Sequence, residues 1–440
     1  MKLSNWGNYP EVDVDFRSFV NEGKLSKIIS EAKEVIPRGL GRCYGDSSLS
    51  QTVVSSLRFN RMISFDEESG ELVCESGVSL EDILDVFVSR GWFLPTTPGT
   101  KFVTVGGAIA SNVHGKNHHL SGSFCHHVNW MEIMLASGEV VRCSKDENSE
   151  LFEATAGGMG LTGYILRVSM NLIRVETAFI RQEMIKAKNL SEIMDVFEDS
   201  DDWTYSVAWI DCLMQGENMG RSLMMRGEHA GENELVKIKH RRAPLILPKK
   251  LKLNVPINFP SFALNPLTVK AFNALYYMKG PKESKVSIVD YDQFFYPLDG
   301  VLNWNRIYGK RGFTQYQFVL PKEAGREGLG KVLSRIAESG QGSFLAVLKL
   351  FGQQDDLFSF PKEGYTLALD FPIKNGLFKL LNELDDLVLD YGGRLYFAKD
   401  VRMEPKMLAG YPYAERFKEL KHKYDPDNRF ASLQSKRVGI

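Results

Sequence analysis

The sequence lacks the features of a membrane-spanning protein or of a secreted, disulfide-linked one. No run of eighteen apolar residues occurs, and the N-terminal MKLSNWGNYPEVDVDF contains no apolar signal-peptide core. The five cysteines, at positions 43, 74, 125, 143 and 212, are scattered and form no CxxC pair. That pattern favours reduced thiols over disulfides or a zinc site. We therefore expect a soluble, cytoplasmic protein.

An excess of charge of either sign is also missing. The chain has 54 Lys and Arg against 55 Asp and Glu, a formal net charge of -1. It therefore has no general electrostatic footprint for nucleic acid, and any basic site must be local. With 440 residues, 43% of them hydrophobic and 11% aromatic, the chain is long enough for two domains or one large α/β body.

Three glycine-rich loops occur in the first 165 residues. They are RGLGRCYGD at 38–46, PGTKFVTVGGAIASNVHGKNHH at 98–119 and GGMGLTG at 157–163. Because Gly106 and Gly107 have no side chains, their backbone N–H groups can approach an anion such as a pyrophosphate. A lone Gly-Gly pair is more often an ordinary turn. Three such loops, each between regular elements, predict that several loops converge on one extended ligand.

The first loop does not fit a Rossmann-type nucleotide site. The glycines at 39, 41 and 45 are spaced one residue too widely for GxGxxG, and the polar SSLSQ follows where a helix should begin. Around the loops, the pattern predicts a short helix over 25–35, a strand near 53–59, and hairpins over 62–76 and 128–144. It also predicts a helix that begins after Ser79, with Asp82 in the capping-box position, and ends at Gly91.

Beyond Arg174 the pattern changes to longer strands and amphipathic helices, which predicts a second domain. Strands are predicted within 204–213, 220–227, 313–320, 343–352 and 365–371, and helices over 190–197, 266–278, 326–339 and 376–391. Two of the strands carry polar residues at period two: Gln315 with Gln317, and Thr366 with Asp370 around Ala368. Alternation places each set on one face of a sheet. Such a face lines a sugar pocket or is a solvated outer face, and the pattern alone does not decide between them.

The segment 237–262 mixes basic and apolar residues. Residues 237–252 contain seven Lys or Arg and no acid, and prolines follow at 244, 248, 256 and 260. The prolines predict a mobile loop and not a long helix. Its composition suits contact with an anionic membrane surface, and a solvated charged loop is the alternative.

These loops in this order resemble the vanillyl-alcohol-oxidase (PCMH) type of FAD-linked oxidase and, within it, the oxidase subunits of decaprenylphosphoryl-β-D-ribose 2′-epimerases. The resemblance covers nearly the whole chain and includes AWID from 208, WNRIYG from 304, QYQFV from 315, LKLFG from 348, DFPIK from 370, and GGRLY with AKD from 392. It implies an α+β fold with a two-lobed FAD-binding domain at 1–175. It also implies a substrate domain at 176–393, with an antiparallel sheet covered by helices, and a C-terminal return to the FAD domain at 394–440.

On the matching positions, the resemblance implies an FAD shell formed by Pro37, Arg38, Gly39, Leu40, Gly41, Arg42, Cys43, Tyr44, Gly45, Asp46, Gly99, Thr104, Val105, Gly106, Gly107, Ser111, Asn112, Val113, His114, Ile165 and Tyr396. Covalent relatives carry a flavin-linked histidine in or near the first loop. This chain has Arg42-Cys43-Tyr44 there, which predicts non-covalent FAD. The histidines of HGKNHH have no carboxylate or Cys at ligand spacing, so no metal site is expected.

The resemblance also implies a reaction: oxidation of the 2′-hydroxyl of a polyprenyl-phosphate-linked pentose to a 2′-keto sugar. This would be the first half of an epimerisation in cell-envelope polysaccharide (arabinan) synthesis, completed by a separate NAD(P)H-dependent ketoreductase. The implied catalytic residues are Lys399, His114, Gln317 and Tyr44. The implied substrate residues are Lys116, Trp209, Gln315, Gln317, Lys349, Phe351, Thr366 and Ala368, with Lys349 or Lys116 meeting the phosphate.

Three alternatives stay open at this stage. The first is an aldonolactone or alditol oxidase of the same fold acting on a free sugar, and the second is a flavin-binding scaffold without enzymatic activity. The third concerns the site of action: the protein would act at the inner face of the membrane if the segment 237–262 makes contact there. Ala368 stands where mycobacterial members of the family carry a cysteine, so a thiol-directed inhibitor has no target at that position.

Overall fold

The computed structural model describes residues 1–248, 250–260 and 262–440. Lys249 and Ser261, which belong to the predicted 237–262 loop, lie outside the described residues. Within these ranges the chain is an α+β protein, with small sheets in its first 175 residues and one large antiparallel sheet after them.

The N-terminal lobe is built on a parallel sheet with the strand order β3-β5-β4. Its elements are β1 (Lys2–Leu3), β2 (Val12–Asp13), β3 (Asp15–Ser18), α1 (Glu22–Glu31), β4 (Val35–Arg38) and β5 (Thr52–Ser55). The Asn21 side chain caps α1 by accepting from the Lys24 N–H. The chain enters the first glycine loop directly from β4, so this sheet fixes where that loop begins.

The second lobe contains an antiparallel sheet with the order β10-β9-β11-β7-β6. Its elements are β6 (Met62–Phe65), β7 (Glu71–Glu75), α2 (Leu80–Phe87), β8 (Trp92–Phe93), α3 (Val105–Ala110), α4 (His118–Ser121), β9 (Val128–Met134), β10 (Val140–Ser144), α5 (Ser149–Thr155), β11 (Tyr164–Asn171) and β12 (Ile173–Arg174). Both predicted hairpins are present. The capping box of Ser79 and Asp82 is confirmed. The α-helix ends at Phe87 and continues as a 3-10 turn, Val88–Arg90, which ends at the left-handed Gly91.

The large sheet has the order β17-β13-β15-β14-β20-β21-β19-β22. Its strands are β13 (Phe179–Ala187), β14 (Tyr205–Ile210), β15 (Ser222–His229), β17 (Lys285–Asp290), β19 (Phe313–Pro321), β20 (Ala346–Phe351), β21 (Gly364–Pro372) and β22 (Arg394–Leu395), while β16 (Leu253–Asn254) and β18 (Val301–Leu302) form a separate parallel pair. All the predicted strands of the second domain lie in this sheet.

One face of the large sheet is covered by helices. The helices of this half of the chain are α6 (Leu190–Glu198), α7 (Ile238–Arg242), α8 (Pro266–Met278), α9 (Tyr291–Phe295), α10 (Lys322–Ser339), α11 (Leu377–Asp390), α12 (Ala414–Tyr424) and α13 (Leu433–Val438). Phe318, Leu348 and Leu367 point from the sheet into an apolar core shared with α6, α10 and α11. The residues that alternate with them therefore lie on the opposite face, away from these helices.

The C-terminal segment packs back onto the first lobe. Phe430 lies beside Val35 of β4, and Arg437 of α13 forms ion pairs of 2.6 Å with Asp46 and 3.0 Å with Asp400. Burial raises the pKa of Asp46 to about 6, although the Arg437 guanidinium opposes this shift. This buried contact ties the end of the first glycine loop to the turn that carries Lys399.

Lys399 lies just beyond the large sheet: β22 ends at Leu395, the chain then turns, and Lys399 is the last residue of the short 3-10 helix Phe397–Lys399. The regular elements depart from the sequence-based expectations in two respects. Strands β13 and β17 were not predicted. The described part of 237–262 contains the one-turn helix α7 and the short strand β16. The domain boundaries at 175 and 393 stay predictions. Among the described residues, no helix is long and apolar enough to cross a membrane.

Candidate active site

The three predicted glycine loops lie against one another. Gly39 packs so closely on Thr104 that a Cβ there would be 2.2 Å from the Thr104 Oγ1. The third loop reaches the other two: Gly160 faces Pro37, and the Met159 N–H donates to the Ala110 carbonyl at 2.8 Å. The convergence of the loops is therefore a feature of the folded chain.

The first loop presents a run of free donors. Within the described part of the chain, the backbone N–H groups from Gly39 to Cys43 have no protein acceptor. The Arg42 guanidinium lies beside this run, 3.9 Å from the centroid of the Trp6 ring. Successive free N–H groups with an arginine nearby form a site for an anion such as a pyrophosphate.

The Gly106-Gly107 pair does not supply such donors, contrary to the sequence-based expectation. The Gly106 N–H donates to the Ser76 carbonyl at 2.9 Å, and the Gly107 N–H donates to the Thr104 hydroxyl, which caps α3. A Cβ at Gly106 would lie 2.9 Å from the Ser76 Cβ. These glycines therefore allow α3 to pack closely, and the free donors lie in the first loop.

The face of the large sheet opposite to α6, α10 and α11 turns towards the second glycine loop, and we call the region between them the cleft. Across four neighbouring strands, Trp209, Val347, Ala368 and Gln317 stand opposite one another in a single row. Gln317 is 5% exposed, and Thr366 and Asp370 are each 1% exposed. The polar residues at period two therefore line an interior site, and a solvated outer face is excluded.

His114 joins the second loop to this face. Gln317 Nε2 donates to His114 Nε2 at 3.1 Å and contacts Thr366 Oγ1 at 3.2 Å. The imidazole packs edge-on against Phe351. Burial, with further effects from Lys349 and other nearby cations, lowers the pKa of His114 well below its usual value. The neutral ring therefore accepts at Nε2 and carries its proton at Nδ1, which is buried without a partner among the described residues.

Three lysines bring positive charge into the cleft. Loss of solvent lowers the pKa of Lys116 and of Lys349 to about 7, and a neighbouring cation lowers each further: Lys349 acts on Lys116, and Lys399 acts on Lys349. Burial also lowers the pKa of Lys399, although the Asp370 carboxylate raises it again. Because each lysine is desolvated and close to like charge, a bound anion would stabilise their protonated forms.

Asp370 is the carboxylate that balances this charge. Gln315 Nε2 donates to its Oδ1 at 2.6 Å, and the Tyr308 hydroxyl donates to its Oδ2 at 3.1 Å. The Lys399 Nζ lies 4.3 Å from the centroid of the Tyr44 ring, and the Tyr44 hydroxyl is 3.4 Å from Gln315 Nε2. Burial raises the pKa of Asp370. Neither Asp370 nor Tyr308 was among the predicted site residues, although both lie in the quoted motifs.

Other predicted residues hold the cleft together. Asn112 Nδ2 donates to Asp356 and Ser359, and the Tyr396 hydroxyl donates to the Ser111 carbonyl at 2.8 Å. Lys116 Nζ donates to the Phe295 carbonyl at 3.2 Å. These contacts connect the second loop to the large sheet and to α9.

The remaining predicted residues do not all face the cleft. Val105 and Ile165 belong to the apolar core of the second lobe, and Gly99 is exposed on a loop. Asp46 is engaged by Arg437. Trp209 lies on the polar sheet face and donates from Nε1 to the Phe344 carbonyl at 3.0 Å.

The HGKNHH histidines bind separate partners. His118 Nε2 is 2.6 Å from Gln354 Oε1, and His119 Nε2 is 2.8 Å from the Trp203 carbonyl. No group of three or more His, Cys, Asp or Glu side chains is arranged to hold a metal ion in the parts of the chain that the structure describes.

Comparisons with known proteins agree with this geometry. Residues 19–144 match a family described as an FAD binding domain. Decaprenylphosphoryl-beta-D-ribose oxidase of Mycolicibacterium smegmatis is 37% identical over 100% of this chain and 97% of that protein. The chain belongs to the PCMH-type family of FAD-linked oxidases. An uncharacterized protein of Streptomyces coelicolor, in the mprA 5′ region, is 32% identical over 82% of this chain and 100% of its own length. Bovine L-gulonolactone oxidase is 29% identical over 31% of this chain and 30% of that protein.

The residues of this FAD-dependent oxidoreductase fit its cofactor. The free N–H run of Gly39 to Cys43 suits the pyrophosphate, and two buried polar atoms near the second loop, Ser76 Oγ and His114 Nδ1, have no partner among the described residues. His114 and Gln317 connect the second loop to the polar sheet face and are the residues that would contact the flavin ring and a substrate. Bound FAD supplies the hydride acceptor of the PCMH-type oxidases.

The close packing of Gly39 gives a first prediction. In Gly39→Ala the new methyl group collides with Thr104, a β-branched residue that cannot move without losing the cap of α3. We expect the purified variant to lose most of its FAD, measured as flavin absorbance per protein. Gly23→Ala is the control, because a Cβ there meets only an ordinary contact of 3.7 Å in α1. Wild-type flavin content in Gly39→Ala would contradict the assignment.

Proposed function

We propose that this oxidase converts the 2′-hydroxyl of a polyprenyl-phosphate-linked pentose, similar to decaprenylphosphoryl-β-D-ribose, to a 2′-keto sugar. The observation that carries the proposal is the cleft itself: a polar sheet face with three desolvated lysines and one buried carboxylate. That excess of positive charge in a shielded site suits an anionic sugar derivative. The full-length similarity to an enzyme named for such a substrate supports the same reading.

The sugar would lie against Gln317, His114 and Lys399. Gln317 uses its amide N–H groups on His114 and Thr366, which leaves its carbonyl oxygen to accept from a sugar hydroxyl. His114 offers its Nδ1–H as a donor. Lys349 stands beside Thr366 in the next strand, where its ammonium can meet the substrate phosphate as a point charge.

Oxidation of an alcohol requires a proton to leave the hydroxyl as hydride leaves carbon. Lys399 is suited to accept that proton, because burial lowers its pKa to about 8 and a fraction of the side chain is neutral near pH 7. The Asp370 carboxylate tunes this property, since it favours the protonated form of Lys399. Asp370 itself is held by Gln315 and Tyr308.

FAD is held without a covalent bond in this proposal. The first loop carries Arg42, Cys43 and Tyr44 and contains no histidine. The Cys43 thiol lies 3.3 Å from the Ser48 hydroxyl and is oriented into the loop. The 2′-keto product would then be reduced by a separate NAD(P)H-dependent enzyme to complete the epimerisation.

The substrate class is tested by flavin bleaching. The purified protein is mixed anaerobically with a prenylphosphoryl-β-D-ribose, with free alditols and with aldonolactones, and the absorbance of oxidised flavin is followed. We expect only the prenylphosphoryl sugar to bleach the flavin. Lys349→Met should raise the KM roughly ten- to hundredfold, as for a lost hydrogen bond of about 1.5–3 kcal/mol to a charged group.

The matched control is Lys331→Met, which removes an exposed lysine of α10. Bleaching by the free sugars alone would instead assign the protein to the aldonolactone or alditol oxidases.

The role of Lys399 as the proton acceptor is tested by the pH dependence of the rate of flavin reduction. If neutral Lys399 takes the proton, the rate of flavin reduction rises with pH through the pKa of Lys399. Above about pH 7 Asp370 is increasingly ionised and raises that pKa. In Asp370→Asn this effect is lost, so the midpoint should move to lower pH. Asp386→Asn, at an exposed position on α11, is the control, and an unchanged midpoint in Asp370→Asn would exclude this role.

A further inference from the structure

Helix α8 carries apolar side chains on its outer surface. Leu267 is 79% exposed, Leu275 58% and Met278 64%, while Val269 and Asn273 are the buried residues of this helix. A helix in a water-soluble protein normally buries its apolar stripe against the core. The outward face of α8 is therefore an apolar surface without a partner among the described residues.

The segment before α8 extends this surface. Leu251 is 99% exposed, Leu253 70%, Ile257 68% and Phe262 76%. Their backbone is held in place: β16 pairs with β18, and Arg306 Nη1 donates to the Val255 and Pro256 carbonyls. These apolar side chains are thus presented to solvent by hydrogen-bonded backbone. Together with α8 they form what we call the α8 surface.

Charge shows what kind of partner this surface fits. From Leu235 to Lys282 the chain has ten Lys or Arg and no Asp or Glu over 48 residues, although the whole chain has a net charge of -1. Lys237, Lys239 and Lys270 have no carboxylate within 4.0 Å among the described residues. A segment that combines exposed apolar side chains with many basic ones and no acid matches an anionic lipid bilayer, where each Lys or Arg contributes about 1 kcal/mol.

A cavity connects the start of α8 with the active site. It has a volume of about 290 Å³, near the lower end of the range for ligand pockets. Leu264, Pro266 and Val269 line it from the α8 side, and Tyr308 and Asp370 line it from the active-site side. The hydrogen bond between Tyr308 and Asp370 is thus part of both the cavity wall and the catalytic network.

We propose that the α8 surface docks on an anionic lipid bilayer and that the cavity beside it receives the prenyl chain of the substrate next to its phosphate. The second half of this inference rests on the proposed function, and the first half does not. Docking would place the cavity at the bilayer surface, so the sugar could enter the cleft while most of the prenyl chain stays in lipid.

Vesicle binding tests the docking. The purified flavoprotein is sedimented with vesicles of phosphatidylglycerol and phosphatidylcholine and with vesicles of phosphatidylcholine alone. We expect binding to the anionic vesicles, weakened by high salt. The triple variant L267E/L275E/M278E should bind at least about tenfold more weakly. Its three apolar side chains no longer insert into the bilayer, and the three glutamates are repelled by the anionic lipid. The control V20E/I63E/V86E makes the same charge change at exposed positions of the two N-terminal lobes and should bind as wild type does.

Turnover separates docking from the proposed reaction. In the L267E/L275E/M278E variant, flavin bleaching by a short-chain, water-soluble prenylphosphoryl pentose should equal that of wild type. Bleaching by the long-chain substrate embedded in anionic vesicles should fall by the same factor as binding. If wild type fails to bind anionic vesicles, or if the α8 variant binds as tightly as wild type, the docking proposal is wrong. A stable dimer that dissociates in the α8 variant would assign the surface to a second copy of the chain.

Discussion

The architecture of the site depends on the contact between Gly39 and Thr104. A side chain at Gly39 would overlap the Thr104 hydroxyl, and that hydroxyl caps α3. The contact therefore fixes the first loop, with its free N–H groups, against the helix that leads to His114. Because His114 then bonds to Gln317 of the large sheet, one close backbone approach sets the distance between the cofactor loops and the substrate face.

The electrostatics of the cleft follow from burial and not from ion pairing. Loss of solvent is the largest effect on Lys116, Lys349, Lys399 and His114, and in each case it disfavours the charged form. Burial also disfavours the charged form of Asp370, whose pKa it raises, while the ionised carboxylate favours a charged Lys399. The site is thus prepared for an anion that would restore charge to the lysines and for a proton transfer near neutral pH.

Local patterns were sufficient to predict much of the fold. Short-range chemistry predicts the capping box at Ser79, the hairpins and the bounds of α8. The alternation of polar and apolar residues likewise predicts that Gln315 and Gln317 lie on one face of a sheet. Strands β13 and β17 were not predicted because charged residues, such as Arg181 and Glu183 in β13, interrupt the alternation of apolar and polar residues. The pairing of Asp370 with Gln315 exists only once β19 and β21 align. The use of Gly106 for packing depends on Ser76, thirty residues earlier in the chain, which no local pattern reveals.

The central claim is that the free N–H groups of Gly39 to Cys43 hold the pyrophosphate of FAD. Calorimetric titration of the flavin-free protein with FAD and with riboflavin, which has no phosphate, tests it most directly. If the loop forms two or more hydrogen bonds to a charged group, each worth about 1.5–3 kcal/mol, FAD should bind more tightly by at least about a hundredfold. Equal affinities for the two flavins would contradict the account.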